Sequence, residues 1–204
     1  MIDLIYKDLL QHNKVDSNSS QKLWEELENK YSEKGRHYHN LNHLQDLYDQ
    51  LVKVKSKISN WNIILFTLFY HDVIYKSTKK NNEEESAKLA SKRMAEIGLT
   101  NSEIELCSNQ ILATKSHIES IDSDTNYFTD ADLSILGRSR ENYNEYCKKI
   151  RKEYSIYPKF MYNKGRKQVV KHFLSMERIY KTEEFYSEFE EQAKLNLEAE
   201  LETL

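Results

Sequence analysis

The sequence predicts an all-α protein. Its 204 residues include only four Gly and one Pro, too few for the turns of a β fold, whereas Leu, Glu, Lys and Ala abound. Apolar side chains recur at three- and four-residue spacing along most of the chain, and no stretch alternates with the period of a strand. No Gly/Pro-rich linker or shift in composition divides it, so a single domain is expected over residues 1–204.

Taken in order, Ile2, Ile5, Tyr6, Leu9 and Leu10 share one helical face. After the polar run at 16–20, a second helix sets Leu23, Trp24, Leu27 and Tyr31 on one side, with Gly35 as its stop. Residues 36–43 lead into a third helix carrying Leu44, Leu47, Tyr48, Leu51 and Val52, and His43 falls in its first turns. Asn60 is expected to cap a helix from 61 to about 74 that is apolar nearly all round and therefore central. A polar loop at 76–81 precedes a helix that opens on Glu83, Glu84 and Glu85 and stops at Gly98.

Thr100 and Glu103 have capping-box spacing, which opens a helix running toward His117. A turn region is expected at 119–126, then a short helix at 130–136 ending near Gly137. The next helix carries Tyr143, Tyr146, Cys147, Ile150 and Tyr154 before Pro158. Amphipathic helices at about 164–180 and 182–201 complete the chain, the last of them acidic.

A net charge of −3 supplies no basic field, which argues against long nucleic acid as a partner. No apolar run approaches the roughly 20 residues of a membrane span. The amino-terminal stretch carries Asp3 and Asp8 and has neither the basic nor the apolar region of a signal peptide. Cys107 and Cys147 are isolated and suit reduced thiols, so a cytoplasmic location is expected.

The chemistry centres on the His71-Asp72 doublet, which closes the least polar run of a chain that is otherwise 31% charged. Polar groups survive in apolar surroundings when paired, hydrogen-bonded or bound to metal. His39 and His43, the doublet, His117, and then Asp130 and Asp132 each lie near a different helix end. Two imidazoles and two carboxylates would give a divalent ion four N/O ligands of total charge about −2, a set that suits Mn, Fe, Zn or Mg. A lone His beside an apolar helix is more often a hydrogen-bonded core or surface residue, and either Asp could simply cap the short helix.

The ordered set resembles the HD superfamily of metal-dependent phosphohydrolases, whose signature is a His, a His-Asp doublet and a later Asp. Tyr38-His39-Asn40-Leu41-Asn42-His43, Phe69-Tyr70-His71-Asp72-Val73-Ile74-Tyr75, Asn82-Glu83-Glu84-Glu85-Ser86-Ala87, Thr114-Lys115-Ser116-His117 and Asp130-Ala131-Asp132-Leu133-Ser134-Ile135-Leu136-Gly137 are together similar to one branch of about this length. The blocks span most of residues 36–180, with 182–204 as an acidic carboxyl-terminal helix.

The resemblance implies an HD-domain-like helical bundle in which His43, His71, Asp72 and Asp132 bind the metal (Mn, Fe, Zn, Co or Mg). His39 competes with His43 for the first position and Asp130 with Asp132 for the last. His39, His117 and Asp130 are candidates for a second ion. Asp72 or Glu83 would act as general base, and Arg36 and Lys115 would bind the phosphate of a small phosphorylated substrate such as a nucleotide. Two rival expectations are a di-iron oxygenase of the same fold and a regulatory module that binds metal or ligand without turnover.

Overall fold

The computed structural model describes residues 1–204 and is all-helical. Its α-helices are α1 (Ile2–His12), α2 (Ser17–Tyr31), α3 (Leu41–Lys53), α4 (Trp61–Tyr70), α5 (Asn82–Glu96), α6 (Asn101–Ala113), α7 (Ser123–Asp132), α8 (Arg140–Glu153), α9 (Lys159–Ser175) and α10 (Glu183–Thr203). Short 3₁₀ turns occupy Lys55–Lys57 and Leu133–Gly137. The chain forms two compact units, Met1–Thr129 and Asp130–Leu204. The boundary falls inside α7, which is why no linker composition announces it.

In the first unit α4 is the central element. Eight of its ten residues, Ile63 to Tyr70, are buried, and α1, α3, α5 and α6 all pack against it. A helix apolar on every side can be covered only from every side. Its amino end is capped from outside: the Asp124 carboxylate on α7 accepts from the Ser59 and Asn60 amides at 2.9 and 2.7 Å. The Asn60 side chain makes no cap bond itself. Asp124 is almost fully buried, so this anion both satisfies orphan amides and complements the helix dipole.

The carboxyl end of α4 comes four residues earlier than the apolar pattern suggests, because neighbouring groups satisfy the backbone beyond it. Arg36 takes the carbonyls of Asp72 and Val73, and the Ser86 hydroxyl bonds both the amide and the carbonyl of Ile74. The stop of α5 is Gly98, at φ +84, and Thr100 and Glu103 form the reciprocal capping box of α6.

In the second unit α10 packs on the 3₁₀ turn Leu133–Gly137 and on α9. A Cβ on Gly137 would come within 2.5 Å of the Phe189 backbone, so only glycine permits this approach. Asn196 donates to the carbonyls of Leu136 and Arg138 at 2.8 Å, and the buried Glu190 accepts from the amides of Ile179 and Tyr180. The penultimate helix runs over Lys159–Ser175 rather than 164–180: Pro158 sits at its amino cap, where a missing amide hydrogen costs nothing. Likewise α7 begins at Ser123, inside the region expected to be a turn, and the predicted short helix at 130–136 is divided between its last turn and the 3₁₀ turn.

Candidate metal centre

Three helix ends supply the side chains. Asn40 caps α3 by accepting from the Asn42 amide at 2.9 Å, which puts His43 in the first turn facing inward. His71 follows the last residue of α4, its amide still bonded to the Thr67 carbonyl. Its Nδ1 lies 2.9 Å from the Leu68 carbonyl oxygen. A carbonyl can only accept, so Nδ1 carries the proton and the Nε2 lone pair points the other way. That fixed tautomer is how a ligating imidazole is ordinarily oriented.

The His71 Nε2 stands 3.3 Å from Nε2 of His43, and both residues are buried. The Asp72 Oδ2 lies 3.2 Å from that His71 atom and 3.9 Å from Nε2 of both His43 and His39. Asp132 ends α7, a helix whose body belongs to the first unit. On that helix Phe128 meets the His71 ring edge-on at 5.5 Å, and Asp132, four residues later, shares its face. The ligand atoms of His43, His71 and Asp132 all lie within 4.8 Å of one another, and this group could hold a metal ion.

The donor set fits a divalent cation. Two nitrogens each about 2.0–2.1 Å from a tetrahedral ion lie about 3.3 Å apart, which is the separation of the two imidazoles here. Rings this close with a lone pair directed between them call for a proton or a cation in the gap.

The remaining sequence candidates are placed as follows. His39 stacks on Tyr75 at 4.1 Å, beside Asp72. Glu83 lies in the first turn of α5 and His117 in left-handed backbone (φ +52) after α6; neither belongs to the group of three. Asp130 is turned the other way. Its carboxylate accepts from the Lys181 and Thr182 amides and the Thr182 hydroxyl, at 2.7–3.0 Å, and its Oδ1 lies 3.3 Å from the Lys181 ammonium. It is the amino-terminal cap of α10, because two residues on from Phe128 a side chain leaves the opposite side of the helix.

The expected phosphate ligands have other work. Arg36 donates through Nη1 to the His39 and Asp72 carbonyls at 3.1 and 2.7 Å and through Nη2 to Val73 at 2.9 Å. It is held between the rings of Tyr31 and Tyr75. It thereby ties the His39 segment to the doublet's backbone. Lys115 pairs with Glu84 on the surface and donates to the Lys80 carbonyl at 3.2 Å. The anchoring roles of Arg36, Leu68 and Phe128 carry no sequence signal, since each depends on long-range backbone placement or on an unremarkable apolar residue.

No helix is long and apolar enough to cross a membrane. Comparisons of the chain with protein-family models, curated proteins and solved structures give no match.

Proposed function

We propose that the protein is a metal-dependent phosphohydrolase with the HD-type ligand set, acting on a small phosphate ester or phosphoanhydride. His43, His71, Asp72 and Asp132 would hold the ion, with His39 beside them. The observation that carries this reading is the convergence of two imidazoles, that of His71 oriented by the Leu68 carbonyl, and a carboxylate within 4.8 Å. A divalent ion held there supplies Lewis-acid polarisation of a phosphoryl oxygen and lowers the pKa of coordinated water.

The chain's own contribution is orientation and proton transfer. Leu68 fixes the His71 tautomer, Phe128 and Tyr75 pack the imidazole faces, and Arg36 ties the His39 segment to Asp72. Asp72, whose side chain is 18% exposed, takes the proton from the attacking water. Glu83 is the alternative base, from the first turn of α5. Arg36 and Lys115 are left out of phosphate binding.

The test is hydrolysis of an aryl phosphate and a nucleotide panel by protein loaded with Mn, Co, Zn, Mg or Fe. Metal-dependent turnover that falls at least 100-fold in Asp72→Ala supports the reading; turnover unchanged by that substitution defeats it. His39 Nε2 lies 3.9 Å from the Asp72 carboxylate, so His39 is the candidate ligand for the second ion that a di-iron oxygenase would require, along with His117. Oxygen uptake after anaerobic iron loading, without phosphate release, would select that chemistry instead.

A further inference from the structure

The second unit contains a cleft of about 730 Å³ between α8 and the end of α10, and none of the candidate metal ligands lines it. Its volume is that of a small-molecule site. Arg140, Asn144, Cys147, Lys148 and Arg151 all face it. They follow the spacing of a single face of α8, so this helix turns a cationic stripe toward an open cleft. Lys152 adds a fourth cation at the same wall, and the partly exposed Tyr162, with the Arg151 guanidinium over its ring at 4.8 Å, and Ala199 supply apolar surface.

Of the four cations, only Lys148 is ion-paired with an acidic side chain. Arg140 gives both Nη groups to the Asn196 and Leu195 carbonyls, and Arg151 gives its own to Tyr154 and Tyr157. Carbonyl dipoles hold the guanidinium groups in place but do not neutralise them. Lys148 is paired with Glu145 on the surface, where a pair is weak and readily exchanged. The one acidic side chain lining the cleft, Glu200, already belongs to the buried Arg166, which donates to it at 2.8 and 2.9 Å, and to the Tyr143 hydroxyl.

From this placement we propose that the cleft binds an amphipathic anion: an aromatic or acyl body lying against Tyr162 and Ala199, with a carboxylate, sulfonate or phosphate among Arg140, Lys148, Arg151 and Lys152. Both halves of the ligand are required, because the walls offer apolar surface and the rim offers charge.

Cys147 reports on occupancy. It is partly exposed in the cleft wall, whereas Cys107 is fully buried. Burial pushes the Cys147 thiol up to about 11, so alkylation is slow but measurable near pH 9. The experiment follows iodoacetamide modification of Cys147 in the full chain, by peptide mass, with 1-naphthalenesulfonate, neutral 1-naphthalenemethanol or inorganic phosphate added. The sulfonate should slow modification at least tenfold at millimolar concentration, and the other two should leave it unchanged. Lys148→Glu combined with Lys152→Glu, both at exposed positions, should abolish the protection while preserving helical circular dichroism. Equal protection by the neutral alcohol, protection by phosphate alone, absence of protection, or protection that survives in the folded double variant would each overturn the proposal. Should the double variant fail to fold, the comparison of the three additives on the native chain decides.

Discussion

The Nε2 atoms of His43 and His71 lie 3.3 Å apart, with the second oriented by the Leu68 carbonyl behind it. Phe128 packs on the His71 ring, and helical periodicity then sorts the two acids of α7, Asp132 toward the imidazoles and Asp130 away from them. The two therefore fail differently when changed. Asp132→Asn should alter apo stability less than Asp130→Asn does, because Asp132 is the less buried of the two. It should also remove the thermal stabilisation that added Mn or Zn confers, about 2.7 kcal/mol at 100 times Kd. Asp130→Asn should lower stability by about 1–3 kcal/mol through loss of a buried cap and keep the metal effect. Differential scanning calorimetry with and without metal distinguishes them.

Arg36 makes three charge-assisted bonds to backbone carbonyls beside the doublet. Arg36→Lys keeps the charge but loses the planar fork. It should cost about 2–3 kcal/mol in urea denaturation and weaken metal binding without altering its stoichiometry. A phosphate-binding Arg36 would instead raise KM and leave both quantities alone.

Gly137→Ala introduces a methyl group within 2.5 Å of Phe189 backbone and side-chain atoms. Backbone cannot move aside as a flexible side chain does, so a loss of about 1–3 kcal/mol is expected. Gly165→Ala, where nothing lies within 4 Å of the new atom, is the matched control and should be neutral or slightly stabilising.

Burial works to raise the pKa of Glu200, but the Arg166 guanidinium and the Tyr143 hydroxyl outweigh it and hold the carboxyl below its ordinary 4.5. A folded-state pKa depressed in this way contributes stability above 4.5 that is lost as pH falls through the folded value. Glu200→Gln should therefore be less stable than the native chain at pH 7. The difference should shrink as pH drops below about 4.5, because the protonated native side chain resembles the amide. Denaturation midpoints of both proteins from pH 7 to pH 3 check the convergence.

Much of the helical layout is legible in the sequence because caps and stops are local. The Thr100–Glu103 box, Gly98 and the apolar run of α4 each fix their element within a few residues. The end of α4 is not local. It depends on Arg36, 36 and 37 positions away from the carbonyls of Asp72 and Val73, and on Ser86 beyond. The choice between Asp130 and Asp132 is hidden for a related reason. A helix beginning at Ser123 sets the phase of both residues, and the polar residues at 119–126 read as a turn. The roles expected for Arg36 and Lys115 followed from proximity in sequence, which says nothing of which carbonyl or carboxylate a long cation will meet.

Equilibrium dialysis of chelator-stripped protein against Mn or Zn tests the central claim most directly. One or two ions per chain should bind to the native protein. Affinity should fall at least 100-fold in His43→Ala and in Asp132→Asn, and remain native in Asp130→Asn. Native affinity in the first two variants, or no stoichiometric binding to the unaltered chain, would contradict it.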